Sequence, residues 1–121
     1  MTATFGEYIK QRRTKLGFTL KKVASHLDID TSTLGKIERE ERNLSENLLT
    51  PLAEILETEQ REILNHYYSS KVTQEIKGYP HYKEVLNIVE EQLKLYFSKT
   101  EHKQNWTEKE FQNPKAKIKV A

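Results

Sequence analysis

Apolar residues in the first third of the chain recur every three or four positions, which is the spacing of helices with one buried side. The first run predicts a helix over residues 5–16. Thr4 and Glu7 fit a capping box, in which each side chain binds a free backbone N–H at the start of the helix. Gly17 is expected to end this helix, because glycine readily adopts the left-handed conformation of a helix end. The residues expected on its buried side are Phe5, Ile9 and Leu16.

Two shorter apolar runs follow, joined by the turn "DID". Thr19 is the expected N-cap of the second helix, and Asp30 is that of the third. Asp28 suits the turn between them, because aspartate tolerates unusual backbone angles and accepts local hydrogen bonds. With Ala24 where the helices approach closely, the pair has the outline of a helix-turn-helix unit. The residues expected on the buried sides of these two helices are Leu20, Val23, Ala24, Leu27, Leu34 and Ile37.

A fourth and a fifth helix are predicted before residue 66. The fourth carries Pro51 in its first turn, where the missing N–H of proline costs little. The fifth has Thr58 as its expected cap and carries Ile63 and Leu64. Five short helices in so little sequence predict an all-α fold, with a compact bundle over residues 1–66.

Residues 67–98 predict a helical extension of this bundle. Gly78 is expected to end one short helix, and Pro80 to begin another. The second of these helices carries an apolar seam with alternating spacings of four and three, the repeat of a coiled coil. Two heptads are fewer than an independent coiled coil requires, so the seam either joins two chains or packs on its own domain. The residues of the seam are Tyr82, Leu86, Val89, Leu93 and Tyr96.

Composition and charge exclude several classes of protein. The chain has 121 residues and no cysteine, which excludes disulfides and thiol catalysis and suits a cytoplasmic protein. The sequence shows no signal-peptide pattern and no apolar run near the roughly 20 residues of a membrane span. Residues 1–44 hold nine Lys/Arg against six Asp/Glu, residues 45–98 hold five against nine, and residues 99–121 form a basic tail expected to be mobile. This uneven distribution of charge favours a protein with separate surface regions for different binding partners.

No pattern in the sequence indicates catalysis. It contains neither a glycine-rich phosphate loop nor an HExxH zinc pattern, and its four histidines lack metal-ligand spacing. Adjacent carboxylates diverge on a helix and are expected to be solvated, as at Glu40/Glu41 and Glu90/Glu91. We therefore predict that the protein is not an enzyme and that it uses no cofactor or metal.

Residues 5–64 resemble the Cro/phage-repressor class of DNA-binding domains, the xenobiotic-response-element type of helix-turn-helix transcriptional regulator. The matching stretches are "IKQRRTKLGFT", "VASHLDID" and "TLGKIERE". The resemblance implies a five-helix repressor-like bundle, double-stranded DNA as the partner, and an ion pair of Arg13 with Glu38 that fixes the third helix on the first. Two positions depart from the family pattern. Leu20 replaces a glutamine that commonly braces a phosphate, and Asp28 replaces the glycine of the turn.

The third helix is then the candidate recognition helix, whose N-terminal residues read base edges in the major groove. Small hydroxyl side chains let its backbone lie deep in the groove, and Lys36 follows Ser32 by one turn on the same face. Gly35 is expected on this outer face, where it leaves room for DNA. The predicted base-reading residues are Thr31, Ser32, Thr33 and Lys36. The predicted phosphate-binding residues, which hold the protein in register, are Arg12, Lys21, Lys22, Arg39 and Arg42.

The sequence therefore predicts a cytoplasmic transcriptional regulator that binds a pseudo-palindromic operator as a homodimer through the apolar seam. Small members of the family often lie beside restriction–modification genes, so control of such genes is an expectation from the resemblance. The alternative is an antitoxin-like module whose C-terminal segment binds a protein partner. Tyrosine is enriched at such interfaces, but it equally suits one bundle or a homodimer seam. The tyrosines concerned are Tyr67, Tyr68, Tyr79, Tyr82 and Tyr96.

Overall fold

A computed structural model describes residues 3–99 and confirms the all-α class. Within these residues the chain forms helices and turns but no strand. The predicted basic tail lies outside the described residues, apart from Lys99. The helices are α1 (Phe5–Lys15), α2 (Leu20–Leu27), α3 (Thr31–Glu38), α4 (Leu49–Ile55), α5 (Gln60–Ile76) and α6 (Tyr82–Lys99), with one 3-10 turn (Glu46–Leu48) before α4.

The chain divides into two compact units between Lys71 and Val72, inside α5. The sequence had predicted a short fifth helix and a separate short helix ending at Gly78, with a domain boundary at residue 66. The structure instead joins both segments into one helix of 17 residues. No glycine or proline interrupts the sequence from Gln60 to Ile76, so nothing breaks the helix until shortly before Gly78.

The helix ends mostly follow the predicted caps. Thr4 and Glu7 form the capping box, and Gly17 takes a left-handed backbone with φ 76°. Thr19 Oγ1 accepts a hydrogen bond from the Lys22 N–H at 3.1 Å. Asp30 occupies the N-cap of α3, but its side chain makes no capping hydrogen bond.

The start of α1 is pressed against the end of α3, an arrangement that the sequence analysis missed. The Gly6 N–H donates to Glu40 Oε1 at 2.5 Å, and the Phe5 N–H donates to Ser70 Oγ at 2.7 Å. A Cβ at Gly6 would lie 2.6 Å from the Ile37 carbonyl oxygen, closer than real Cβ atoms come. Glu40, which follows the C-cap of α3, therefore caps the start of α1. It is exposed, as predicted for a solvated carboxylate, but it also has this structural contact.

The core of the first unit is apolar, and it includes a tyrosine whose hydroxyl group makes a hydrogen bond. Tyr67 is 3% exposed, and its hydroxyl donates to the Leu44 carbonyl oxygen at 3.0 Å. Leu16 and Leu20, predicted as buried, are only half-buried. The fully buried side chains with the largest volumes are Ile9, Val23, Leu34, Leu52, Leu56 and Ile63.

In the second unit, α6 buries none of its residues. Leu86 and Leu93 are 41% and 51% exposed, so the predicted seam is open along the helix. On the same helix, Lys94 Nζ lies 3.4 Å from Glu90 Oε1 and 3.7 Å from Glu91 Oε1, so both carboxylates have a cationic neighbour. Four residues of the seam, Tyr82, Leu86, Val89 and Leu93, thus form an exposed apolar face, whereas Tyr96 is half-buried.

Candidate DNA-binding surface

The turn between α2 and α3 rests on a left-handed aspartate. Asp28 has φ 57° and ψ 44°, as expected for a residue that replaces a turn glycine. Its N–H donates to the Ser25 carbonyl oxygen, and the next N–H, that of Ile29, donates to the Ala24 carbonyl oxygen. These bonds end α2 and set the direction in which α3 begins. Ala24 is 1% exposed, in keeping with a close approach of the helices.

The N-terminal half of α3 exposes the hydroxyl residues. Thr31, Ser32 and Lys36 are exposed, and Thr33 is half-buried. Gly35 differs from its prediction, because it is buried rather than on the outer face. A Cβ there would lie 3.2 Å from Arg39 Nη1 and 4.0 Å from a Leu20 methyl group. The glycine thus gives room to side chains of the protein itself.

A buried ion pair holds the other face of α3. Arg13 Nε donates to Glu38 Oε2 at 2.7 Å, and Nη2 donates to Oε1 at 3.0 Å. The Arg13 Nη1 group donates to the Phe18 carbonyl oxygen at 2.9 Å. The hydrogen bond to Glu38 raises the pKa of Arg13 above its ordinary value, although burial acts in the opposite direction. The ion pair implied by the resemblance is present in the structure, and it anchors α3 on α1.

One family model matches this part of the chain. Residues 9–62 match the model of a helix-turn-helix family, the Cro/phage-repressor type. No curated protein and no solved structure matches the chain significantly. The match supports a DNA-binding helix-turn-helix domain, and α3 is the second helix of the helix-turn-helix motif.

Four of the predicted phosphate contacts of this helix-turn-helix domain are exposed cations near α3 or at the front of α2. Lys21 and Lys22 are exposed, and Lys22 Nζ lies 4.0 Å from the centre of the Phe18 ring. Arg42 is exposed and lines a polar groove with Asp28, Asp30 and Thr33. The groove therefore has a cation and the two acids of the turn in its lining.

Arg39, the fourth cation, already has an acidic partner. Its Nε atom lies 2.9 Å from Glu41 Oε2, and both side chains are more than half exposed. The bond to Arg39 lowers the pKa of Glu41, with a smaller effect from Lys36. Glu41 is therefore bonded to one predicted DNA contact, Arg39, and lies near a second, Lys36. The sequence predicts only a solvated carboxylate at Glu41.

Arg12 has a different role from the one predicted. Its Nη2 group donates to the Leu56 carbonyl oxygen at 2.8 Å and to the Glu57 carbonyl oxygen at 3.1 Å. These carbonyls follow the last turn of α4, where backbone oxygens lack helical partners. Arg12 is thus a C-terminal cap of α4, and we leave it out of the phosphate-binding set. A spacing pattern could not have revealed this contact, because it joins residues 44 positions apart.

Two further findings concern other kinds of site. Between residues 3 and 99, no group of three or more His, Cys, Asp or Glu side chains is placed to hold a metal ion. In the same part of the chain, no helix is both long enough and apolar enough to cross a membrane.

Proposed function

We propose that this protein is a sequence-specific transcriptional regulator that binds a pseudo-palindromic operator as a homodimer. The observation that carries the proposal is the two-sided character of α3. One face exposes Thr31, Ser32 and Lys36, and the opposite face is fixed by the buried Arg13–Glu38 pair. A recognition helix needs both features, since base reading requires side chains that reach the groove from a rigid support.

The hydroxyl residues and Lys36 are the proposed base readers. Threonine and serine hydroxyls hydrogen-bond to base edges, and a threonine methyl group can contact the methyl group of thymine. Lys36 follows Ser32 by one helical turn and is exposed on the same helix, so it can reach guanine O6 or N7. Thr33 is half-buried and has the least freedom of the four.

Exposed cations on either side of this helix are the proposed phosphate contacts. Lys21 and Lys22 begin α2, whereas Arg39 and Arg42 follow α3. Such contacts supply affinity and fix the register of the protein, but they do not read sequence. Arg39 must exchange its bond with Glu41 for a phosphate, so its contribution is smaller than that of a cation without an acid beside it.

Homodimerisation is proposed through α6. The exposed seam gives this helix a face that a second chain can cover, and two chains are what a pseudo-palindromic site requires. A dimer bound across a promoter excludes RNA polymerase and represses, whereas one bound upstream can activate. Control of restriction–modification genes stays a prediction from the resemblance.

The exposed face of α6 equally suits a foreign protein, so the antitoxin-like function is the second candidate. Tyr67 does not support it, because this residue is buried in the core of the first unit. Tyr79 and Tyr82 are 50% and 46% exposed and remain available to a partner. An antitoxin-like chain should have a protease-sensitive C-terminal segment when purified alone, whereas a dimeric regulator should resist the protease.

One experiment tests the proposal directly. The purified chain is measured by light scattering and then titrated into a random duplex library at two salt concentrations, and the bound DNA is sequenced. An enriched inverted repeat bound by a dimer is the expected result. A monomer that binds every duplex equally, and only at low salt, would contradict the regulator and favour the second candidate.

A further inference from the structure

We infer that α6 pairs with α6 of a second copy in antiparallel orientation, with Leu86 opposite Val89 of that copy. The inference deepens the proposed homodimer and rests on it. It names an orientation and a register, neither of which follows from the helix-turn-helix family match at residues 9–62.

The apolar face of α6 needs another surface to pack against. It has 18 residues, none of them buried. Most of the stability of helices in proteins comes from the packing of an apolar face rather than from helix propensity. Tyr82, Leu86, Val89 and Leu93 follow the heptad spacing and are between 37% and 51% exposed. Ile88 is also exposed, but its heptad position places it outside this seam.

Opposite charges along one edge of the seam favour the antiparallel pair. Lys83 and Glu90 are seven residues apart, so they lie on the same edge. In an antiparallel pair, each edge faces the same edge of the second copy. With Leu86 opposite Val89, and Tyr82 opposite Leu93, Lys83 comes beside Glu90 of the second copy. Twofold symmetry repeats this contact, so the register gives two opposite-charge pairs across four apolar layers.

Other arrangements lose this complementarity. A parallel pair sets the edge with Lys83 and Glu90 against the other edge, where Glu90 faces Val85 of the second copy. An antiparallel pair shifted by one heptad places Leu86 opposite Tyr96 and brings Glu90 beside Glu90 of the second copy. That register puts two like charges at the symmetry axis, which is destabilising. Of the three arrangements, only the inferred one pairs opposite charges.

Cysteine cross-linking of the full chain tests the orientation, because the natural sequence contains no cysteine. A disulfide forms only when the two Cα atoms are about 4.4–6.8 Å apart. In the inferred register, Leu93 of one copy lies opposite Tyr82 of the other. The two Leu93 residues are then separated by eleven helical positions, roughly 16 Å along the axis. The variants Tyr82→Cys and Leu93→Cys, mixed and oxidised, should form covalent dimers, whereas either variant alone should not.

Two results would contradict the inference. Efficient cross-linking of Leu93→Cys with itself would establish a parallel pair and overturn the inference. If light scattering shows a dimer but the mixed variants do not cross-link, the register is wrong.

A charge exchange provides a second test that keeps the apolar seam intact. Lys83→Glu should raise the dimer dissociation constant by roughly tenfold at low salt, since two attractions become two repulsions. Adding Glu90→Lys to the same chain should restore most of the affinity. Glu91→Lys is the matched control, because Glu91 also contacts Lys94 within the helix but lies on the far side from the seam. Equal effects of Glu90→Lys and Glu91→Lys would overturn the inference.

Failure here is distinguishable from failure of the proposed function. A dimer that selects an inverted repeat but shows the parallel cross-linking pattern keeps the regulator and rejects this register. A chain that stays monomeric and selects no DNA sequence rejects both.

Discussion

Arg13 and Glu38 join α1 to α3 through two hydrogen bonds of 2.7 and 3.0 Å, with only 11% and 4% of their side chains exposed. The pair lies on the buried side of α3. Its two charges satisfy each other, and the Phe18 carbonyl oxygen accepts another N–H of the guanidinium. Removal of either partner leaves a buried charge without a counterion, which is the costly half of a buried ion pair.

Replacing Arg13 with Ala should therefore lower the free energy of unfolding by about 3–5 kcal/mol. The double variant Arg13→Met/Glu38→Leu should recover most of this loss, because no charge is then buried alone. Urea denaturation followed by circular dichroism measures both effects. A double variant as unstable as the single one would mean that the geometry of the pair, and not its charge balance, stabilises the domain.

Gly6 should not tolerate a side chain. Gly6→Ala places a Cβ against the backbone oxygens of Ile37 and Glu38, which cannot move away as a side chain can. We expect a loss of about 1–3 kcal/mol in the free energy of unfolding, the usual cost of overpacking. Gly78→Ala is the matched control, because nothing lies within 4 Å of its added Cβ. Equal thermal shifts for the two variants would contradict the close contact between α1 and α3.

Lys36 and Ser32 should contribute to specificity, and Lys22 to affinity for any DNA. Either Lys36→Ala or Ser32→Ala should weaken binding to the selected operator by about 1–3 kcal/mol while mostly sparing random duplex. Lys22→Ala should weaken binding to both and flatten the salt dependence. Titration of operator and random duplex at several salt concentrations separates the two roles. An equal loss on both duplexes for Lys36→Ala would remove it from the base readers.

Glu41 should restrain DNA binding, because it pairs with Arg39 and carries negative charge beside Lys36. Glu41→Gln should tighten binding to all duplexes by about two- to fivefold at low salt, with less effect at high salt. Glu54→Gln, an exposed change of the same charge on α4, is the control. If both variants bind alike, the Arg39–Glu41 pair does not limit the affinity.

Tyr8 gives a prediction about alkaline pH. Burial, with a contribution from Glu62, raises the pKa of Tyr8 from 10.0 to about 12. The unfolded chain therefore loses this proton first, and stability falls as the pH rises from about 10 to 12, by about 2–3 kcal/mol in all. Below about pH 10 both the folded and the unfolded chain keep this proton, so the ionisation of Tyr8 does not change the stability. Tyr8→Phe should lose less stability between pH 9 and pH 11 than the natural chain, as measured by urea denaturation.

The exposed Tyr79→Phe provides the reference for this comparison, since it removes the same hydroxyl from a side chain that is 50% exposed. It should follow the natural chain across the same pH range. A Tyr8→Phe variant that also follows the natural chain would show that the burial of Tyr8 does not affect alkaline unfolding.

Local sequence patterns predicted most of the local structure. The capping box of Thr4 and Glu7, the left-handed Gly17 and the N-cap Thr19 depend on residues within three or four positions of each other, so the sequence alone specifies them. The same patterns failed at α5, where the predicted break did not occur. No glycine or proline stands between residues 60 and 76, so the helix continues through the predicted break.

The helix α3 and its apolar side follow from the sequence by itself, because periodicity determines which residues of a helix face inward. The family resemblance supplied the Arg13–Glu38 pair. Only the tertiary structure decided that Arg12 caps α4, that Glu40 caps α1, and that Gly35 makes room for Arg39 and Leu20. Each of these contacts joins groups from different helices or from beyond a helix end. Their distances depend on how the helices pack, which no local spacing encodes.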